Sequence, residues 1–124
     1  MVAAKRGGSI INIASILALR VATSMPAYIA AKAGLVHLTK ALALEWARAN
    51  IRVNAIAPGY ILTEINQEWF ASEGGQIAIK RIPQRRIGAP KDLDGPLLLL
   101  ASDASSYMTG SIIVADGGHA VNSL

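Results

Sequence analysis

Tyr28 and Lys32 stand four residues apart in the stretch SMPAYIAAKAG, residues 24–34. On a helix, positions i and i+4 share a face. An ammonium held beside a phenol favours the phenolate, which suits a group that takes up and returns a proton near neutrality. The spacing alone does not decide the matter. The same pair fits a half-buried packing tyrosine beside a solvated helix lysine. Ser15 lies thirteen residues before Tyr28, just past the apolar run SIINIA (9–14). Taken by itself, it is more simply read as a strand-end hydroxyl that bonds local backbone.

The surrounding segments decide whether these side chains can meet. SIINIA is short, apolar and rich in isoleucine, the pattern of a parallel strand covered on both faces. Thr23 or Ser24 can cap a helix there, with Pro26 in its first turn. The helix is predicted to run to about Asn50, a left-handed terminator, with Leu35, Leu38, Leu42 and Trp46 turned inward. IRVNAIA (51–57) reads as a second strand, stopped by Pro58-Gly59. Residues 60–90 read as a long connection with one or two short helices, one of them in TEINQEWFAS. Pro90 opens a further helix through KDLDGPLLLLAS, and SIIVA (111–115) is a third strand ended by DGG.

Strand, helix, strand, helix, strand predicts an α/β fold of parallel strands joined by crossovers. Ligands of such sheets gather beyond the carboxyl ends of the strands. Ser15 and Pro58-Gly59 fall just past two of those ends, and Tyr28 lies on the helix between them. The three can converge on one cleft.

Composition narrows the function classes. The 124 residues are 52% hydrophobic and 16% charged, which fits one compact domain rather than a disordered chain. There is no cysteine, so disulfides and thiolate metal sites are excluded. His37 and His119 lack ligand spacing and read as structural, and no metal is expected. The net charge is +4, and five of the twelve basic residues fall in KRIPQRRIGAPK (80–91). That segment has no stacking aromatics, so it reads as a solvated face or a contact to a phosphate-bearing ligand, not as a nucleic-acid site. Lys5 and Arg6 precede an apolar run that Asn12 and Ser15 interrupt, too short to span a membrane. A cytoplasmic protein without membrane attachment is expected.

NIAS with Ser15, YIAAK with Tyr28 and Lys32, IRVNAIAPGYILT, RRIGAPKDL, LLLLASDASSYMTG and VADGG, taken in that order, resemble the carboxyl-terminal half of a short-chain dehydrogenase/reductase. A lone YxxxK is weak; the serine at its spacing, the PGxxxT and the terminal DGG make the set specific. The resemblance implies a partial Rossmann-type three-layer fold, holding only the last three parallel strands and their helices in a single partial domain over 1–124. It implies an NAD- or NADP-dependent oxidoreductase that interconverts a secondary alcohol and a ketone. Ser15 would hold the substrate oxygen, Tyr28 would exchange the proton, and Lys32 would tune Tyr28 and bind the nicotinamide ribose. Pro58, Gly59, Ile61 and Thr63 would hold the nicotinamide, with Ile65, Trp69 and Phe70 facing a small carbonyl or alcohol substrate.

The family's glycine-rich strand–turn–helix for the pyrophosphate has no counterpart in these residues. Gly7-Gly8 precede the first strand and lie in no such context. This predicts a piece of a longer chain that is incompetent alone, and a homo-oligomer (dimer or tetramer) or a complementary amino-terminal half to cover the first strand's open edge. A non-enzymatic assembly module is the second reading.

Overall fold

The protein is described by a computed structural model covering residues 1–121. Three parallel strands, β1 (Gly8–Ile13), β2 (Ile51–Pro58) and β3 (Ile112–Ala115), form one sheet in the order β1-β2-β3. Gly8 pairs with Ile51 and Ile13 with Ile56, while Ala55 pairs with Ile112 and Pro58 with Ala115. The central strand is apolar along nearly its whole length, and Val53, Ala55 and Ala57 are fully buried. That pattern follows from cover on both faces.

Alternate residues of β2 meet different layers. Ile51, Val53 and Ala55 pack against α1 (Pro26–Trp46) through Val36 and Ala43. Arg52 points to the other side, where its Nη1 and the hydroxyl of Ser9 both donate to the carbonyl of Leu100, at 3.1 and 2.7 Å. Leu100 belongs to α4 (Asp94–Ala101), so helices cover both faces of the sheet. This is the three-layer α/β arrangement expected. Asn54, buried within β2, is satisfied: its amide donates to the Met108 carbonyl at 2.8 Å and accepts from Ser111 N–H at 2.9 Å.

Helix α1 carries the tyrosine and lysine, and a side-chain chain fixes its height on the sheet. Asn12 of β1 donates to the Thr39 hydroxyl at 2.9 Å, and Thr39 donates back to the Leu35 carbonyl at 2.8 Å. Thr39 is fully buried. The inward stripe differs from the expected one: Val36, Thr39 and Ala43 are buried, Leu35, Leu42 and Trp46 flank them, and Leu38 is half exposed. Small side chains let the helix approach the sheet, and the larger ones are displaced to its borders.

The helix ends divide in the same way. Asn50 is left-handed with φ +56°, as its position predicts. At the other end the cap is Met25, with no side-chain hydrogen bond, rather than Thr23 or Ser24. Ser24 has φ +66° and turns the chain, so it cannot also present its hydroxyl to the first turn; Pro26 sets that turn instead.

Two short helices, α2 (Gln67–Ala71) and α3 (Glu73–Lys80), occupy the connection after β2, and a 3-10 turn at Pro90–Leu93 leads into α4. The chain turns at Thr63, whose carbonyl accepts from Asn66 and Gln67 N–H, and α2 starts at Gln67. Among the described residues no helix is long and apolar enough to cross a membrane.

Candidate active site

A cleft of about 470 Å³ opens beyond the carboxyl ends of all three strands. Ser15, past β1, Gly59 and Tyr60, past β2, and His119, past β3, all line it. Tyr28, in the first turn of α1, lines it from the connecting helix.

Ser15 begins the 3-10 turn Ile16–Ala18 and is 8% exposed. Its hydroxyl oxygen accepts from Leu17 N–H at 3.1 Å, so its proton points elsewhere and can be donated. Tyr28 is 46% exposed at the cleft mouth. The Lys32 ammonium lies 5.7 Å from the centroid of the Tyr28 ring, over its face, and donates to the Ile13 carbonyl at 2.9 Å. The helix therefore ties its lysine to the end of the strand that delivers Ser15.

Gly59 earns its place sterically. A Cβ there would lie 2.6 Å from the Cβ of Asp116 and 2.8 Å from its Cα, so only glycine lets the segments after β2 and β3 run together. Its N–H donates to the Ala115 carbonyl at 3.0 Å. Pro58 closes β2 and does not line the cleft. Ile61 bridges to Gly88, and its carbonyl accepts from the Asn66 amide at 2.8 Å. Thr63 N–H donates to the Asn66 side chain at 2.8 Å.

Of the residues expected to face substrate, Ile65 is almost wholly exposed, Trp69 is half exposed and Phe70 is buried; none lines this cleft. Trp69 and Phe70 instead stack around Tyr60, with ring centroids 6.2 and 5.2 Å away, and His119 packs on the same ring at 5.2 Å. Tyr60 and His119 are the members of this cluster that line the cleft, together with Tyr28 from α1. The sequence reading gives Arg20 and Tyr60 no site role, takes His119 as structural, and has Arg81 within the basic segment 80–91. For Tyr60 a signal was available, since it directly follows the proline-glycine at the strand end.

Burial, and then the Arg20 charge, push the His119 imidazole below its ordinary pKa, while Asp116 opposes the shift. A smaller cavity of about 190 Å³ is lined by Ile61, Gly88, Arg86, Asp92 and Asp116. There Arg86 and Asp92 pair at 2.7 Å. The Arg86 hydrogen bond, followed by the Ala89 N–H, lowers the Asp92 carboxyl to about 2.

A three-layer α/β sheet of parallel strands, with a cleft beyond their carboxyl ends, is the arrangement in which open α/β folds bind their ligands. The family model described as enoyl-(acyl carrier protein) reductase matches residues 1–120. The chain is 48% identical over 118 residues to a 2-dehydro-3-deoxy-D-gluconate 5-dehydrogenase of Escherichia coli strain K12, covering 94% of this chain and 47% of that one. It is 42% identical over 114 residues to a 3-oxoacyl-(acyl-carrier-protein) reductase of Thermotoga maritima, covering 92% and 46%. A gluconate 5-dehydrogenase from Burkholderia cenocepacia J2315, solved in complex with NADP and tartrate, superposes with a TM-score of 0.92 at 33% identity, over 98% of this chain and 48% of that one. The chain belongs to the short-chain dehydrogenase/reductase family. It spans about half the length of the relatives it matches.

Proposed function

We propose that these residues form the catalytic side of an NAD- or NADP-dependent oxidoreductase that interconverts a secondary alcohol and a ketone. The observation that carries this reading is the meeting of Ser15 and Tyr28 in one cleft, with Lys32 standing over the tyrosine ring. Ser15 donates to the substrate oxygen and steadies negative charge on it, as an oxyanion donor does. Tyr28 passes a proton to that oxygen or takes one from it. Lys32, anchored on Ile13, places positive charge beside Tyr28 and a donor toward a ribose.

The residues fit a nicotinamide. Gly59 gives a wall without a side chain in the cleft of Ser15 and Tyr28, whereas Ile61 lines the neighbouring smaller cavity and Thr63 lines neither. A nicotinamide held there supplies the hydride acceptor or donor. The pyrophosphate is a different matter. Gly7 abuts the Asn50 carbonyl and Gly8 opens β1, at the amino ends of the strands, so neither can cradle phosphates beside the cleft. By these 124 residues alone, the cofactor is held weakly and turnover is not expected.

Strand β1 lies at the sheet edge, and Ile13 on it is half exposed. A second copy, or an amino-terminal half bearing the glycine-rich turn, pairs with that edge in the working enzyme. The second reading, an assembly module without cofactor affinity, draws on the same exposed edge. Titration with NADH and NADPH, followed by reduced-nicotinamide fluorescence, separates the two. Saturable binding that a Tyr28→Phe, Lys32→Ala double variant weakens supports the oxidoreductase. A folded chain that ignores millimolar cofactor supports the module.

A further inference from the structure

The chain turns after β3 and brings one imidazole to the cleft. Gly117 and Gly118, with φ +65° and +86°, are both left-handed, and His119 follows them. The turn is closed around it. The Asp116 carboxylate accepts from Gly118 N–H at 2.8 Å and from Ala120 N–H at 2.5 Å, on either side of His119. His119 N–H donates to the Asp116 carbonyl at 3.3 Å, and its own carbonyl accepts from Arg20 Nη1. The ring packs on Tyr60 with centroids 5.2 Å apart and planes tilted by 48°. Backbone and ring are thus held together at the cleft that Ser15 and Tyr28 also line.

Packing alone does not call for an imidazole there. A phenyl ring would cover Tyr60 equally and bury no nitrogen. In His119 the Nδ1 atom is buried and, among the described residues, has no hydrogen-bond partner. A buried N–H stranded without an acceptor is rarer in folded proteins than an under-satisfied acceptor. A neutral imidazole carries one proton on two nitrogens, which assigns that proton to Nε2. Burial and the Arg20 charge hold the ring below its ordinary pKa, against Asp116, and so keep it neutral at neutral pH. Nε2 is not buried and has no partner among the described residues, so its N–H is open to a molecule in the cleft.

Resting on the oxidoreductase reading, we infer that His119 selects the substrate: its Nε2–H donates to a second, uncharged oxygen of the molecule while Ser15 and Tyr28 hold the reacting one. Ile16, Leu17, Val21 and Met25 give the cleft an apolar stretch, beside which one hydrogen bond counts for more than in water. A cleft of about 470 Å³ admits a compact molecule that carries both oxygens. A neutral donor adds no charge, so the preference is for a diol or hydroxy-ketone over a simple alcohol or ketone.

The test begins with nitrogen NMR of the unmutated chain, labelled at its histidines, with His37→Gln assigning the two imidazoles. Above the imidazole pKa range, His119 is expected as the Nε2–H tautomer; the Nδ1–H tautomer overturns the inference. trans-Cyclohexane-1,2-diol and cyclohexanol, which differ by one hydroxyl, are then titrated. The diol is expected to bind about fivefold more tightly, the worth of one neutral hydrogen bond, and to move the Nε2 resonance. His119→Phe keeps a ring on Tyr60 and is expected to abolish the preference, while His119→Asn, with a neutral donor, keeps part of it. Equal binding of the two alcohols, a preference that survives His119→Phe, or a folded chain that binds neither alcohol overturns the inference. The tautomer is read without any substitution at His119, which guards against variants that fail to fold. A parallel NADH titration keeps the two proposals apart: cofactor binding without diol preference sinks only this inference, and diol preference without cofactor binding sinks only the oxidoreductase reading.

Discussion

The ammonium of Lys32 donates a 2.9 Å hydrogen bond to the carbonyl oxygen of Ile13. Ile13 ends β1, two residues before Ser15, so one bond couples the helix that carries Tyr28 to the strand that delivers the serine. Replacing Lys32 with methionine keeps the length of the side chain and removes its donors. NADH affinity is expected to fall at least about tenfold, while stability changes by no more than about 1 kcal/mol, the worth of one partly exposed hydrogen bond. Fluorescence titration and urea denaturation of the same preparation check both halves. Unchanged NADH affinity would remove Lys32 from the site.

Deeper in the helix, Thr39 is the buried partner of Asn12. Thr39→Val preserves shape and leaves the Asn12 amide without its acceptor. A cost of about 1–3 kcal/mol is expected, since an unsatisfied buried donor loses its hydration without return. The urea midpoint reads this directly. Asn12→Val, Thr39→Val together should recover part of the loss, because then no donor is stranded; a strictly additive double variant would show that the two residues are not coupled.

At Gly59 the added methyl of Gly59→Ala meets the backbone of Asp116. A flexible side chain could swing away, but a Cα cannot. Destabilisation by about 1–3 kcal/mol is expected, as for overpacking in a core. Thermal melts of the variant should show it, and a melt equal to the parent's would mean that the segments after β2 and β3 are not held together.

The pH dependence expected of His119 has a definite sign. Its pKa in the folded chain lies below the ordinary imidazole value of 6.5, through burial and Arg20, with Asp116 opposing. As pH falls through that value the unfolded chain takes up a proton that the folded chain refuses, so stability drops. Above it both states are neutral and this residue contributes no slope. Urea midpoints should decline between about pH 7 and pH 5.5, and His119→Gln should flatten the decline. An identical slope in the variant would assign the effect to another group.

The order of elements, the parallel strand pattern, the left-handed Asn50 and the shared face of Tyr28 and Lys32 were all legible in the sequence. Each depends on neighbours within a few residues: hydrophobic period, turn residues and the i, i+4 geometry of a helix. Other features needed the tertiary structure. Leu38 is exposed and Val36 buried because the sheet selects which small residues let α1 come close, and that selection is made across the chain. Phe70 is buried and Trp69 half exposed because Tyr60 offers its ring to both, a contact between a strand end and a helix. The cleft wall draws Arg20, Tyr60, Arg81 and His119 from four separate segments, which only the strand order β1-β2-β3 brings to one end of the sheet. Local periodicity carries no information about such meetings. The sequence determined which residues could carry out the chemistry; the fold decided what charge and shape surround them.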